Sequence, residues 1–116
     1  MARKKKSKEQ CIEFDALKAC VYINYHYEWE NKFTACAGLD LDNKVYAPEI
    51  HFNATEAIAV PVIVHELIHA LTYEFTQRKG FCYIGNGEDE VLPYCIEYAL
   101  EEVIKFCKKN RIEVKL

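Results

Sequence analysis

The sequence predicts one small α+β domain, in which helices pack on a small antiparallel or mixed sheet. Its 116 residues fit one compact domain, and 51% are hydrophobic, enough for a core without crosslinks. Residues 21–52 are rich in β-favouring side chains, whereas residues 60–108 contain two stretches with apolar residues at helical spacing. No repeat or Pro/Gly-rich linker divides them, so we expect a single domain over residues 9–116.

The N-terminus differs from the rest of the chain in charge. The first eight residues include five of the 15 Lys and Arg residues, whereas the formal net charge of the chain is −3. We interpret residues 1–8 as a basic disordered tail on an acidic body. An acidic body argues against nucleic acid as the main partner, because phosphate binding needs a basic face.

No apolar run approaches the roughly 18–20 residues of a membrane span, and no signal-peptide pattern is present. We therefore expect a cytoplasmic protein with no membrane partner. No two of the six cysteines have the Cys-x-x-Cys spacing, and we interpret all six as buried thiols. A secreted three-disulfide scaffold is the disfavoured alternative. The six are Cys11, Cys20, Cys36, Cys82, Cys95 and Cys107.

The first predicted element is a short helix over residues 8–19. Ser7 is placed to cap it, Gln10 to complete a capping box, and Cys11, Phe14 and Leu17 have helical spacing. Residues 11–14 also alternate like a strand, so the pattern leaves both structures open.

Three predicted strands follow, over residues 21–27, 32–38 and 44–52. The turn-forming cluster at residues 40–43 predicts that the second and third make an antiparallel hairpin. Pro48 in the third run indicates an edge, a bulge or an early end of the strand.

Two helices complete the prediction. The first begins either at Thr55 as N-cap or at Pro61 as first helical residue, and ends near Thr76, before Gly80. The second covers about residues 88–108, and its apolar face comprises Val91, Leu92, Cys95, Ile96, Ala99, Leu100, Val103 and Cys107.

The first helix carries the pattern His-Glu-x-x-His at residues 65–69. Residues i and i+4 stand one above the other on a helix, so His65 and His69 can both bind one Zn²⁺ ion. Glu66 lies one step round the helix, beside the open coordination position, where it can accept a proton from the attacking water. The spacing therefore predicts a catalytic zinc site.

Projection of the helix at about 100° per residue separates two faces. The predicted ligand face comprises His65, His69, Thr72 and Thr76. The predicted apolar arc comprises Val60, Val64, Leu67, Ile68, Leu71 and Phe75.

A catalytic zinc needs a third protein ligand. The acidic cluster Glu88-Asp89-Glu90 opens the last helix, although carboxylates there also suit a helix N-terminus electrostatically. The sequence pattern alone does not show which of these three carboxylates would be the third ligand.

At this point the chain resembles the gluzincin, or thermolysin-like, metallopeptidases, in which a glutamate on the next helix is the third zinc ligand. Asp89-Glu90-Val91-Leu92-Pro93-Tyr94 is similar to the family pattern Asn-Glu-Ala-Ile-Ser-Asp. The resemblance implies that Glu90 is the ligand, with Glu88 in reserve. Tyr94 replaces the family's aspartate near the zinc histidines and is a candidate to orient them.

The order of elements also resembles the minimal zincin core and small phage-encoded HExxH proteins. In that core, substrate lies antiparallel to an edge strand that precedes the metal helix. The resemblance implies that Thr34, Ala35, Cys36 and Ala37 bind a peptide or protein substrate.

The function expected is zinc-dependent peptide hydrolysis with Glu66 as general base. The alternative is a non-enzymatic interaction domain with a structural or vestigial metal site. Specificity and oligomeric state stay open, and His26 is interpreted as a sheet-surface residue. The residue that stabilises the oxyanion also stays open among Tyr73, Tyr83, Tyr94 and His51.

Overall fold

The computed structural model describes residues 7–14, 19–29, 35–39, 48–74 and 91–116, with the backbone alone for 35–39 and 91. None of the helices in these ranges is long and apolar enough to cross a membrane. The elements, in chain order, are β1 (Ser7–Phe14), β2 (Ala19–His26), β3 (Ala35–Leu39), β4 (Pro48–Asn53), β5 (Ile58–Ala59), α1 (Val60–Tyr73), α2 (Val91–Lys109) and β6 (Val114–Lys115).

The main sheet is mixed, with four described strands in the order β1-β2-β4-β3. The β1–β2 and β3–β4 pairs are antiparallel, whereas β2 and β4 run parallel. The short strands β5 and β6 pair separately, in parallel. A small mixed sheet with two helices confirms the predicted α+β class.

The core lies on one face of this sheet. Alternate residues of β2 and β4 are buried, as the period of two along a strand requires. Both helices cover this face: Ile63 and Leu67 of α1 share the core cluster with the strands, and Phe106 of α2 stacks on Tyr25 with ring centroids 4.8 Å apart. The other sheet face is not covered by a helix within the described chain.

The predicted helix over residues 8–19 is wrong, because residues 7–14 form strand β1. Ile12 and Phe14 are buried in the core while Glu13 points outwards, so the alternation prevails over the capping pattern. Instead of capping a helix, the Gln10 side chain accepts a hydrogen bond from the Tyr25 hydroxyl at 2.6 Å and donates one to the Glu102 carbonyl at 3.0 Å. These bonds link β1 to β2 and α2.

Strand β1 also includes Ser7 and Lys8, the last two residues of the predicted tail. Lys8 Nζ donates to the Asn110 side-chain oxygen at 2.8 Å. Ser7 and Lys8 therefore belong to the sheet and not to a disordered tail, and residues 1–6 lie outside the described ranges.

Strands β2, β3 and β4 and both helices follow the prediction, whereas the short strands β5 and β6 are additions to it. The second and third predicted strands form the antiparallel hairpin β3–β4, and their turn at residues 40–43 lies outside the described residues. Pro48 is the first residue of β4, which lies between two other strands, so the proline marks a strand start and not an edge. Helix α1 has Ala59 as N-cap with Pro61 in its first turn, which favours the later of the two predicted starts.

Candidate metal and catalytic site

The paired histidines of the His-Glu-x-x-His segment lie together on the solvent side of α1. His65 and His69 are both exposed, and their Nε2 atoms are 3.1 Å apart. The two rings meet nearly edge to face, with centroids 4.7 Å apart. One helical turn therefore presents two imidazole nitrogens to a common point in solvent.

This separation fits a shared zinc ion. Two nitrogens bound at about 2.05 Å to a tetrahedral zinc lie about 3.3–3.4 Å apart, so a small ring rotation suffices. Within the described ranges, no group of three or more His, Cys, Asp or Glu is placed to hold a metal. The predicted third ligand Glu90 and its reserve Glu88 lie outside those ranges.

Glu66 differs from its histidine neighbours in burial. Its side chain is 8% exposed, at the border between the solvent side of α1 and the core. Glutamate side chains are seldom this buried in folded proteins. A carboxyl group held beside an exposed histidine pair is suited to act on a molecule bound there, because its position is constrained by packing.

The two faces of α1 are only partly as predicted. His65, His69 and Thr72 are exposed, whereas Thr76 and Phe75 lie outside the described residues. Ile68, placed in the apolar arc, is 42% exposed, so that assignment is wrong. The buried set is rotated round the helix from the predicted arc and comprises Ile63, Glu66, Leu67, Ala70 and Leu71.

Two adjacent residues test this corrected face. Leu67 is fully buried, so Leu67→Ala should lower the free energy of unfolding by about 2–5 kcal/mol, through lost burial and the cavity left behind. Ile68→Ala, on the exposed side, should cost well under half as much. Urea unfolding monitored by circular dichroism measures both. Equal losses would show that the predicted arc, and not the face described here, is the one in the core.

Strand β3 lies at the end of the described sheet and contacts α1. It contains Ala35, Cys36 and Ala37 of the predicted substrate segment, while Thr34 lies outside the described residues. An edge strand leaves backbone N–H and C=O groups free to pair with an added strand. Within the described ranges, the helix that carries the histidines thus packs beside the end strand of the sheet.

The residues proposed to orient the zinc histidines or to stabilise the oxyanion lie in different parts of the fold. Tyr94, in the first turn of α2, is 65% exposed, and no contact of its side chain with His65 or His69 is found among the described residues. Tyr73 is exposed on α1, and Tyr83 lies outside the described ranges. His51 alternates with buried Ile50 and Phe52, so it lies on the sheet face away from α1. Its position removes it as an oxyanion donor for this site.

Sequence reasoning missed a buried acid at the end of α1. Glu74 is fully buried, although its side chain carries a carboxyl group. It follows Leu67 by seven residues and Ala70 by four, so its helical phase already placed it on the core face. A glutamate at that helical spacing was the signal that could have identified it.

Sequence reasoning also missed a histidine pair on the uncovered sheet face. His26 Nε2 and His51 Nδ1 are 2.8 Å apart, and His51 Nε2 lies 3.4 Å from a Glu49 carboxylate oxygen. Partial burial and the neighbouring His51 lower the pKa of His26. His26 is therefore more than the simple surface residue expected, and no local motif could reveal a pair formed by strand pairing.

The four described cysteines are free thiols that divide into two kinds. Cys95 and Cys107 are buried on α2, and burial raises the pKa of Cys107 to about 11. Both therefore pack as small apolar groups. Cys11 is exposed and Cys20 half-exposed, so the interpretation of all six as buried is wrong.

Comparison of the chain with protein-family models, curated protein sequences and solved structures found no match. The interpretation of the site therefore depends on its own geometry.

Proposed function

We propose that the chain is a zinc-dependent peptidase that hydrolyses peptide bonds in a peptide or protein substrate. The observation that carries this proposal is the 3.1 Å separation of the exposed His65 and His69 nitrogens, with buried Glu66 between them in sequence. The edge strand beside α1 supports it, because an extended peptide can add there.

In the proposed mechanism, His65 and His69 would hold the zinc ion through their Nε2 atoms, and Glu90 would supply the third ligand. When bound, zinc lowers the pKa of a water molecule and polarises a carbonyl group. The Glu66 carboxylate takes a proton from the attacking water and then delivers it to the leaving amine. The backbone of β3 holds the substrate extended alongside the helix.

We also propose that the reaction takes place in the cytoplasm. The free thiols described here, including the exposed Cys11, suit a compartment whose reductants keep cysteines unpaired.

The third ligand is tested by two glutamates of the same acidic cluster. We expect the purified protein to retain about one zinc ion per chain after dialysis against a weak chelator. Glu90→Ala should lose that zinc, since two histidines alone bind it weakly, whereas the matched control Glu88→Ala should keep it. Atomic absorption on the dialysed proteins measures the content.

Zinc content together with a proteolysis screen separates the enzyme from an interaction domain with a structural metal. Zinc kept by both variants would contradict the proposed ligand set. A closed site with a fourth protein ligand in place of water would make the metal structural. In that case no peptidase activity should accompany stoichiometric zinc in a proteolysis screen with denatured protein substrates.

A further inference from the structure

A second histidine pair, with a glutamate beside it, lies on the uncovered face of the main sheet. His26 ends β2, while Glu49 and His51 lie two residues apart on the same face of β4. The helices and the His65–His69 pair lie on the opposite side of the sheet. The cluster is therefore separate from the proposed catalytic site and independent of the proposed function.

The strands hold the two histidines together. In the parallel β2–β4 register, Asn24 lies opposite His51 and His26 opposite Asn53, so the histidines are diagonal neighbours. Their rings stack with centroids 5.0 Å apart, and His26 Nε2 lies 2.8 Å from His51 Nδ1. Backbone pairing of two strands thus fixes the approach of the nitrogens.

Glu49 determines which nitrogen of His51 is available. Its carboxylate oxygen lies 3.4 Å from His51 Nε2, which favours the tautomer with the proton on Nε2. The lone pair of His51 then lies on Nδ1, which faces His26. At metal sites a carboxylate likewise often lies beside one ring nitrogen of a histidine and leaves the other nitrogen to the ion.

We propose that His26 Nε2 and His51 Nδ1 bind a divalent transition-metal ion such as Zn²⁺ or Ni²⁺, with Glu49 as the positioning residue of His51. Imidazole is a preferred ligand for these ions. Binding moves the His26 proton from Nε2 to Nδ1 and opens the nitrogen separation by about 0.5 Å, to that of two ligands on one ion. The side chain of His51 is 31% exposed, so the ion can reach it from solvent.

With two protein ligands, this site is weaker than one with three, and water completes the coordination. A weak chelator should therefore empty it before it empties the His65–His69 site. After dialysis against a weak chelator, the zinc content therefore reports on the His65–His69 site and not on this second site.

The chain contains a fluorescent reporter next to this site. Trp29 is its single tryptophan, and its ring centroid lies 5.5 Å from that of His26. Titration of the chelator-treated protein with NiCl₂ should quench Trp29 fluorescence with a saturable curve. The double variant His65→Ala/His69→Ala should give the same curve, because it lacks only the other histidine pair.

Substitutions identify the ligands. His26→Asn and His51→Asn should each weaken Ni²⁺ binding at least tenfold, and Glu49→Gln should weaken it by about 10–100-fold, the usual effect of losing a carboxylate that orients a ligand. Glu13→Gln, an exposed carboxylate on β1, is the matched control and should leave the curve unchanged. Circular dichroism identifies the variants that keep the fold, and those are the ones compared.

Two results would overturn the proposal. One is a curve that neither His26→Asn nor His51→Asn shifts, which would leave the pair as a hydrogen bond only. The other is loss of quenching in the His65→Ala/His69→Ala variant, which would assign the Ni²⁺ to α1.

Discussion

Replacing Glu66 with glutamine should lower peptidase activity by about 10²–10⁴-fold while zinc and fold are retained. The amide has nearly the shape of the carboxylate but cannot accept the proton of the attacking water. Since Glu66 is 8% exposed and borders the core, the isosteric change is preferable to alanine, which would leave a cavity. The measurement is kcat/KM on a substrate found by a proteolysis screen, with zinc content and thermal unfolding of the same preparation.

Glu97→Gln is the matched control, because Glu97 is exposed on α2, outside the proposed site. It should keep full activity. Undiminished hydrolysis in Glu66→Gln would contradict the mechanism. Zinc loss in Glu66→Gln equal to that in a histidine variant would instead make Glu66 a ligand.

Replacing either histidine of α1 should remove metal and activity together. His65→Ala or His69→Ala leaves one nitrogen where two now lie 3.1 Å apart, so the ion loses a third of its proposed protein ligands. The folded protein should also lose the stabilisation that bound zinc provides. That contribution is about 2.7 kcal/mol when free zinc is 100 times its Kd.

The expected loss of stability can be checked directly, because it should disappear when zinc is removed from both the parent and the variants. Both histidines are exposed, so their variants should unfold like the parent when each is freed of zinc by chelation. Ile68→Ala, at an exposed position between them, should retain zinc. Stoichiometric zinc in His69→Ala would refute the proposed ligand role of that residue.

The fold was predictable where a pattern repeats over several residues. The β-favouring side chains of residues 21–27 and the turn at residues 40–43 predicted β2 and the β3–β4 hairpin, and helical spacing predicted both helices. The helix prediction for residues 8–19 was wrong because a capping pattern and a strand alternation coexist there. Local propensity could not decide between them; pairing with β2 and contact of Gln10 with Tyr25 and Glu102 did.

By itself, the sequence determined the candidate catalytic pair. His65 and His69 are four residues apart on one helix, and a helix brings such residues together whatever surrounds it. Only the tertiary structure decided which side of α1 enters the core, burying Glu66 and exposing Ile68. It also brought together His26 and His51, which are 25 residues apart, because their strands β2 and β4 pair in parallel. Spacing within one helix or strand can be read from the sequence, whereas contacts between elements depend on register and packing, which no local pattern contains.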